Sequence, residues 1–148
     1  MSPDSTMEST LPSTNSSLFN VPKLAEDGSN WITYKERTLT AIGARGLMRH
    51  IDGRAIELIS FDVDKTTKVV TKKDGTPATQ TEIDELDKKI DEYYQKNSLV
   101  KQQIFSTITD RLLLRIQKLK DASEIWKEIC QIHEGKTELV QIDLRRRL

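Results

Sequence analysis

The chain has 148 residues, 36% hydrophobic and 31% charged, which suits one domain with a modest core and is too apolar for a fully disordered chain. Its 23 basic and 23 acidic side chains cancel, which excludes an overall field drawing it onto nucleic acid or an anionic membrane and leaves only local binding. The single cysteine, Cys130, excludes an internal disulfide and every zinc motif that needs two or more thiolates, so a reducing compartment, the cytoplasm, is the expected location.

Residues 1–22 are rich in Ser, Thr and Pro and are expected to form a disordered tail. The tail has no apolar stretch of the kind a secretory signal needs, and no run in the chain approaches the ~20 apolar residues of a membrane span. Phe19 and Val21 precede Pro22, which favours an extended backbone that could dock on the helices behind it. A helical domain is expected over residues 23–148. Asp27-Gly28-Ser29-Asn30 is a turn and cap signal, and Trp31, Tyr34, Thr38, Leu39 and Ile42 follow at helical spacing, predicting a first helix from Trp31 to Ala44. Gly43 and Gly46 bracket its end, and Leu47, Met48 and Ile51 make a short apolar patch.

Between Asp52 and Gln80 the helical pattern is lost. Val69, Val70 and Thr71 favour extended backbone and Asp74-Gly75 is a hairpin-type turn, so a long irregular loop with room for a small hairpin is expected. Such a loop reads as mobile, because its residue types suggest no chemistry. Thr79-Gln80-Thr81-Glu82 has the form of a capping box. After it Ile83, Leu86, Ile90, Tyr93, Asn97, Val100 and Ile104 alternate steps of three and four, predicting a spine helix from Glu82 to Thr109.

Asp110 is a candidate cap for a shorter helix with Leu112, Leu113, Ile116 and Leu119 toward the core. Asp121 to Glu124 repeats the capping-box form before Ile125, Trp126, Ile129, Cys130 and His133. Gly135 is expected to end that helix, with a last one starting near Thr137 and carrying Val140, Leu144 and Leu148 on one face. The chain stops without a cap signal, so the domain is expected to be truncated at its C-terminus.

No catalytic, cofactor or metal constellation emerges from these residues, and no small-molecule substrate is expected. Gly135-Lys136-Thr137 lacks the glycine that a phosphate loop needs five residues earlier, where Cys130 stands. Cys130 and His133 have metal-ligand spacing, but the one other histidine is His50, so a small buried thiol and a helix-terminal imidazole are the simpler account. Trp31, Tyr34 and Trp126 could stack on bases, yet their phase with aliphatic neighbours places them in the core. Arg145, Arg146 and Arg147 are the one dense basic cluster and the candidate RNA contact; a solvated helix face explains them equally well.

The order of these motifs resembles the Gag polypeptide of copia-type LTR retrotransposons, in its fungal variant. Asn30, Trp31 and Tyr34 fill the family's opening Gly-x-Asn-aromatic pattern in Gly28 to Tyr34; Ala44-Arg45-Gly46-Leu47 and Asp52-Gly53 follow; Ala122 to Trp126, then Ile132-His133, close the series. The resemblance covers roughly residues 23–148. It implies an all-α bundle like a retroviral or retrotransposon capsid domain, which associates with itself into particles around the element's RNA and is not an enzyme. The family's Cys-x-x-Cys-His-Cys knuckle is missing, which leaves its usual RNA contact without a counterpart here. The alternative reading is a nucleic-acid-binding module that grips phosphates through Arg145 to Arg147 or the lysines of the loop, Lys65, Lys68, Lys72 and Lys73.

Overall fold

The computed structural model describes residues 20–147, with side chains described as far as Gly135. Among the described residues five helices and one minimal hairpin follow in the order α1 (Trp31–Ala44), α2 (Arg49–Asp52), β1 (Asp62–Val63), β2 (Val70–Thr71), α3 (Gln80–Phe105), α4 (Asp110–Ile116) and α5 (Ala122–Arg147). The fold is therefore mostly helical, as the periodicity predicts. The short α2 packs on both long helices, α3 and α5, which also pack on each other, and α1 packs on α3.

The first helix begins and ends where the sequence places it. At its end Gly46 adopts a φ of 74°, its N–H donates to the Gly43 carbonyl at 3.0 Å, and the Leu47 N–H reaches back to the Ile42 carbonyl at 3.1 Å. These two reversed bonds satisfy carbonyls that the helix would leave open, and Leu47 buries itself beside Ile42. Gly46 is the residue that permits this, because a side chain is strained at positive φ. Gly43, the other bracketing glycine, lies within the helix.

The spine helix opens with both arms of the expected capping box: Glu82 N–H donates to Thr79 Oγ1 at 3.1 Å and Thr79 N–H donates to Glu82 Oε1 at 3.0 Å. It stops at Phe105, four residues before the predicted Thr109. The hydroxyls of Ser106 and Thr107 explain the early stop. Each donates to the Gln103 carbonyl, at 3.0 Å in both cases, so side chains take up the carbonyl that a further helical turn would have used. Thr109 then caps α4 by accepting from Leu112 N–H at 3.3 Å; the cap is Thr109, one residue before the expected Asp110.

Asn97 sits within the stripe of α3, yet it is buried because both ends of its amide are used. Its Oδ1 accepts from Ala122 N–H at 2.8 Å, and its Nδ2 donates to the Lys120 carbonyl at 3.2 Å. A side chain from α3 thus caps the start of α5, the role the sequence gives to Asp121. The Asp121 carboxyl instead accepts from the Tyr93 hydroxyl at 3.3 Å and hydrogen-bonds Glu124, which pushes the Glu124 carboxyl above its ordinary range.

The second break expected in this region is not there. Helix α5 runs from Ala122 to Arg147 without interruption, so Gly135 does not end a helix and none starts at Thr137. Gly135 is exposed and keeps helical φ, and a glycine in an exposed helix interior costs only about 1 kcal/mol, too little to halt a helix with apolar residues packed before it. The face expected of Val140, Leu144 and Leu148 lies outside the described side chains.

The loop between α2 and α3 holds a hairpin as expected, and Asp74-Gly75 is a hairpin-type turn, though not the one that joins β1 to β2. β1 and β2 pair antiparallel, Asp62 opposite Thr71 and Val63 opposite Val70, across a turn in which Asp64 Oδ1 accepts from Thr66 and Thr67 N–H. Asp74-Gly75 makes the next turn, closed by a bridge between Thr71 and Pro77. The core lies between α1, the inner half of α3, and α5, with Ile42, Val100, Ile104, Ile116, Ile125 and Ile129 at 0–1% exposure. Toward its N-terminus α3 emerges from the core, where Ile83, Leu86 and Ile90 are only half-buried.

Candidate functional site

Asn30, Trp31, Tyr34 and Trp126, singled out from widely separated parts of the sequence, meet in one place. The Trp31 ring lies 6.0 Å from Tyr34 and 5.7 Å from Trp126, and Tyr34 lies 6.3 Å from Trp126, all in tilted packing. Exposures of 4% for Trp31, 1% for Tyr34 and 6% for Trp126 leave no ring face open to a base, which decides between stacking platform and core in favour of core.

The Tyr34 hydroxyl reaches Thr107 Oγ1 at 2.7 Å. Thr107 Oγ1 already donates to the Gln103 and Ile104 carbonyls, so Tyr34 is the donor in this pair. Burial, offset in part by this bond, raises the tyrosine pKa above its ordinary value. Thr107 also receives the chain from the other side: Leu24 N–H donates to the Thr107 carbonyl at 2.8 Å.

Asn30 does not cap α1 with its side chain. It clips the preceding segment instead: Oδ1 accepts from Ala25 N–H at 2.9 Å and Nδ2 donates to the Lys23 carbonyl at 3.0 Å. The extended docking expected around Pro22 is present from Asn20 onward, with Val21 and Leu24 buried; Phe19 lies outside the described residues.

Sequence reasoning missed His133. Expected at a helix terminus, it lies inside α5, 4% exposed, with its ring stacked on Trp31 at 5.1 Å. Gly28, with a φ of 73°, lies against that ring, a contact that no local sequence pattern marks. Cys130 is half-buried, and burial first, then the Glu134 carboxylate, push its thiol up to about 11. At neutral pH it is a protonated thiol and a poor nucleophile or metal ligand. Among the described residues no group of three or more His, Cys, Asp or Glu side chains could hold a metal ion, and no helix is long and apolar enough to cross a membrane.

The candidate RNA contacts fare differently. Arg145, Arg146 and Arg147 belong to the last turns of α5, and their side chains lie outside those described. Of the loop lysines, Lys72 pairs with Glu82 at 2.8 Å and holds the hairpin to the start of α3. Lys68 occupies the tight turn at a φ of 64°, and Lys65 and Lys73 are exposed. A groove of about 310 Å³ opens beside Leu24, Glu26, Arg111, Arg115 and Ile132, its two arginines one helical turn apart on α4. Arg115 leans toward Glu128 at 3.9 Å. Compared with family models, curated proteins and solved structures, the chain finds no match.

Proposed function

We propose that this chain is a structural, self-associating protein of the Gag type, a capsid-like building block that assembles around RNA and performs no catalysis. One observation supports the reading above others. The short motifs that carry the resemblance, Asn30 to Tyr34 and Ala122 to Trp126, stand about 90 residues apart, yet they pack into a single cluster in a mostly helical domain. That convergence is what parts of one shared domain would do. A building block of this kind needs a stable core and an adhesive exterior, with each contact weak and the assembly strengthened by repetition.

The test is sedimentation of the purified 148-residue chain over a range of concentrations, with and without RNA. Oligomers that grow with protein concentration in the absence of RNA are the expected result. A chain that stays monomeric alone, and forms complexes only with RNA in proportion to falling salt, would replace this reading with the nucleic-acid-binding module.

A further inference from the structure

The segment between α2 and the hairpin belongs to no helix or strand, is largely apolar and has no partner strand. From Ala55 to Phe61 its residues are Ala, Ile, Glu, Leu, Ile, Ser and Phe, with none of the Pro, Gly or Lys residues that commonly blunt an exposed strand. Ala55, Glu57 and Phe61 are half-buried and Ile56, Leu58 and Ser60 are exposed, an alternation that Ile59, also exposed, interrupts. Glu57 fixes the inner face: its carboxylate accepts from the Tyr94 hydroxyl of α3 and pairs with Lys120 at 2.9 Å. Among the described residues, no backbone hydrogen bond joins Ile56 to Phe61 to another segment. Ile56 and Ile59, at 76% and 80% exposure, are the most exposed large hydrophobic side chains described, three residues apart on this one stretch.

The geometry points to this segment as an interface for a second copy of the same chain, formed by antiparallel pairing of Arg54 to Asp62 with Arg54 to Asp62 of the other copy about Leu58. The occupant follows from charge and pattern. The segment is flanked by Arg54 on one side and Asp62 on the other, equally far from Leu58, so a two-fold axis at Leu58 sets each Arg54 opposite the partner copy's Asp62. Both flanking residues are exposed, and Arg54, which holds Asp52 of its own chain at 2.7 Å, would exchange that surface ion pair for the partner copy's Asp62. In that register Leu58 meets Leu58, Ile56 meets Ser60, and Glu57 stays on its own molecule's inner face. The balanced net charge adds no long-range repulsion between copies. Strand addition at such an edge supplies backbone hydrogen bonds for affinity and alternating side chains for register. The proposal rests on the self-association reading above and names its surface.

The test uses the full chain and reads the association constant by sedimentation. Arg54→Asp alone and Asp62→Arg alone each place like charges opposite one another, and association should weaken about tenfold, while the double variant R54D/D62R should return to near the parent value. A second arm avoids any effect on charge: Leu58→Cys in a Cys130→Ser background should oxidise to a disulfide-linked dimer, because non-hydrogen-bonded antiparallel partners bring their Cα atoms close enough for that bond. Leu114→Cys in the same background is the control, exposed but on α4. Circular dichroism should show unchanged helicity in every variant. If the parent chain associates but the charge swaps leave its constant unchanged and position 58 cross-links no faster than position 114, this interface is wrong and the self-association reading stands. If the parent stays monomeric throughout, both fail.

Discussion

The α-carbon of Gly28 lies against the ring of His133: a methyl group added to it would stand 2.7 Å from the imidazole Nδ1. Two constraints therefore fall on one residue, since Gly28 also holds a φ of 73°. The turn before α1 and the middle of α5 are fitted together at this point, and the same imidazole stacks on Trp31.

Gly28→Ala should cost about 2 kcal/mol or more, combining left-handed backbone strain with displacement of a buried ring. Thermal unfolding should show a fall in Tm of about 5–10 °C. A control at Gly75, which has positive φ but open space around it, isolates the steric part: Gly75→Ala should lose only the backbone component. Equal losses at the two positions would mean that His133 moves aside freely.

Trp126→Ala should be the more severe change, about 3–5 kcal/mol, because it removes a buried ring from the aromatic cluster and strips Trp31 and Tyr34 of a neighbour. For a domain of ordinary marginal stability that is a large share of the total. Urea denaturation measures it. A midpoint within a few tenths of molar of the parent would place the indole at the surface in solution.

Stability should depend on pH through His50. This residue is buried with its ring 5.2 Å from Tyr93; burial first, and the Lys96 charge second, hold its pKa below the usual histidine value. The folded state thus binds the proton less readily than the unfolded chain, so stability is full above about pH 6.5 and is lost as pH falls from there toward the lower folded value. Carboxylates held below their usual range, such as Glu82 beside Lys72, give a separate loss at more acid pH. Unfolding temperatures between pH 7.5 and 5 should therefore fall in the parent chain and stay nearly flat in His50→Gln. A variant with the same slope would assign the effect elsewhere.

RNA binding by the isolated chain should be weak and without sequence preference. With no net charge and the tryptophans buried, Arg145 to Arg147 are the remaining dense cluster, and three phosphate contacts give a salt slope of about −2 to −3. Fluorescence anisotropy against several unrelated RNAs at about 150 mM salt should show little binding. Nanomolar affinity that survives replacement of all three arginines by alanine would reveal a different surface.

What was legible in the sequence was local. The Gly46 stop, the Thr79–Glu82 box and the stripe from Ile83 to Ile104 each depend on residues within one or two turns of one another. What was not legible depended on partners far along the chain. Asn97 looks like one more position on a stripe until Ala122, 25 residues on, supplies the N–H that makes an asparagine useful there. Asn30 reads as a cap but clips the segment before it, and Gly135 reads as a stop, although a glycine ends a helix only if the chain has somewhere better to go. His133 was misplaced for the same reason: its burial is set by Trp31, about a hundred residues earlier. For the candidate site, the tryptophans' core placement could be read from their aliphatic neighbours, whereas the Ala55 to Phe61 segment carried no helical or turn signal to mark it.

The excursion from Arg54 to Ala78 is fastened near each end, by Glu57 to Lys120 and Tyr94 and by Lys72 to Glu82, and the hairpin ladder ties its middle. Lys65 to Lys68 form the turn at the tip, held by local bonds to Asp64 and exposed at every residue. Added chain at that tip would lengthen a closed loop whose entropic cost grows only with the logarithm of its length. The tip is thus a natural mounting point: a tag or small folded insert placed between Thr66 and Thr67 would ride on the domain without entering its core, at the cost of the Asp64 turn alone.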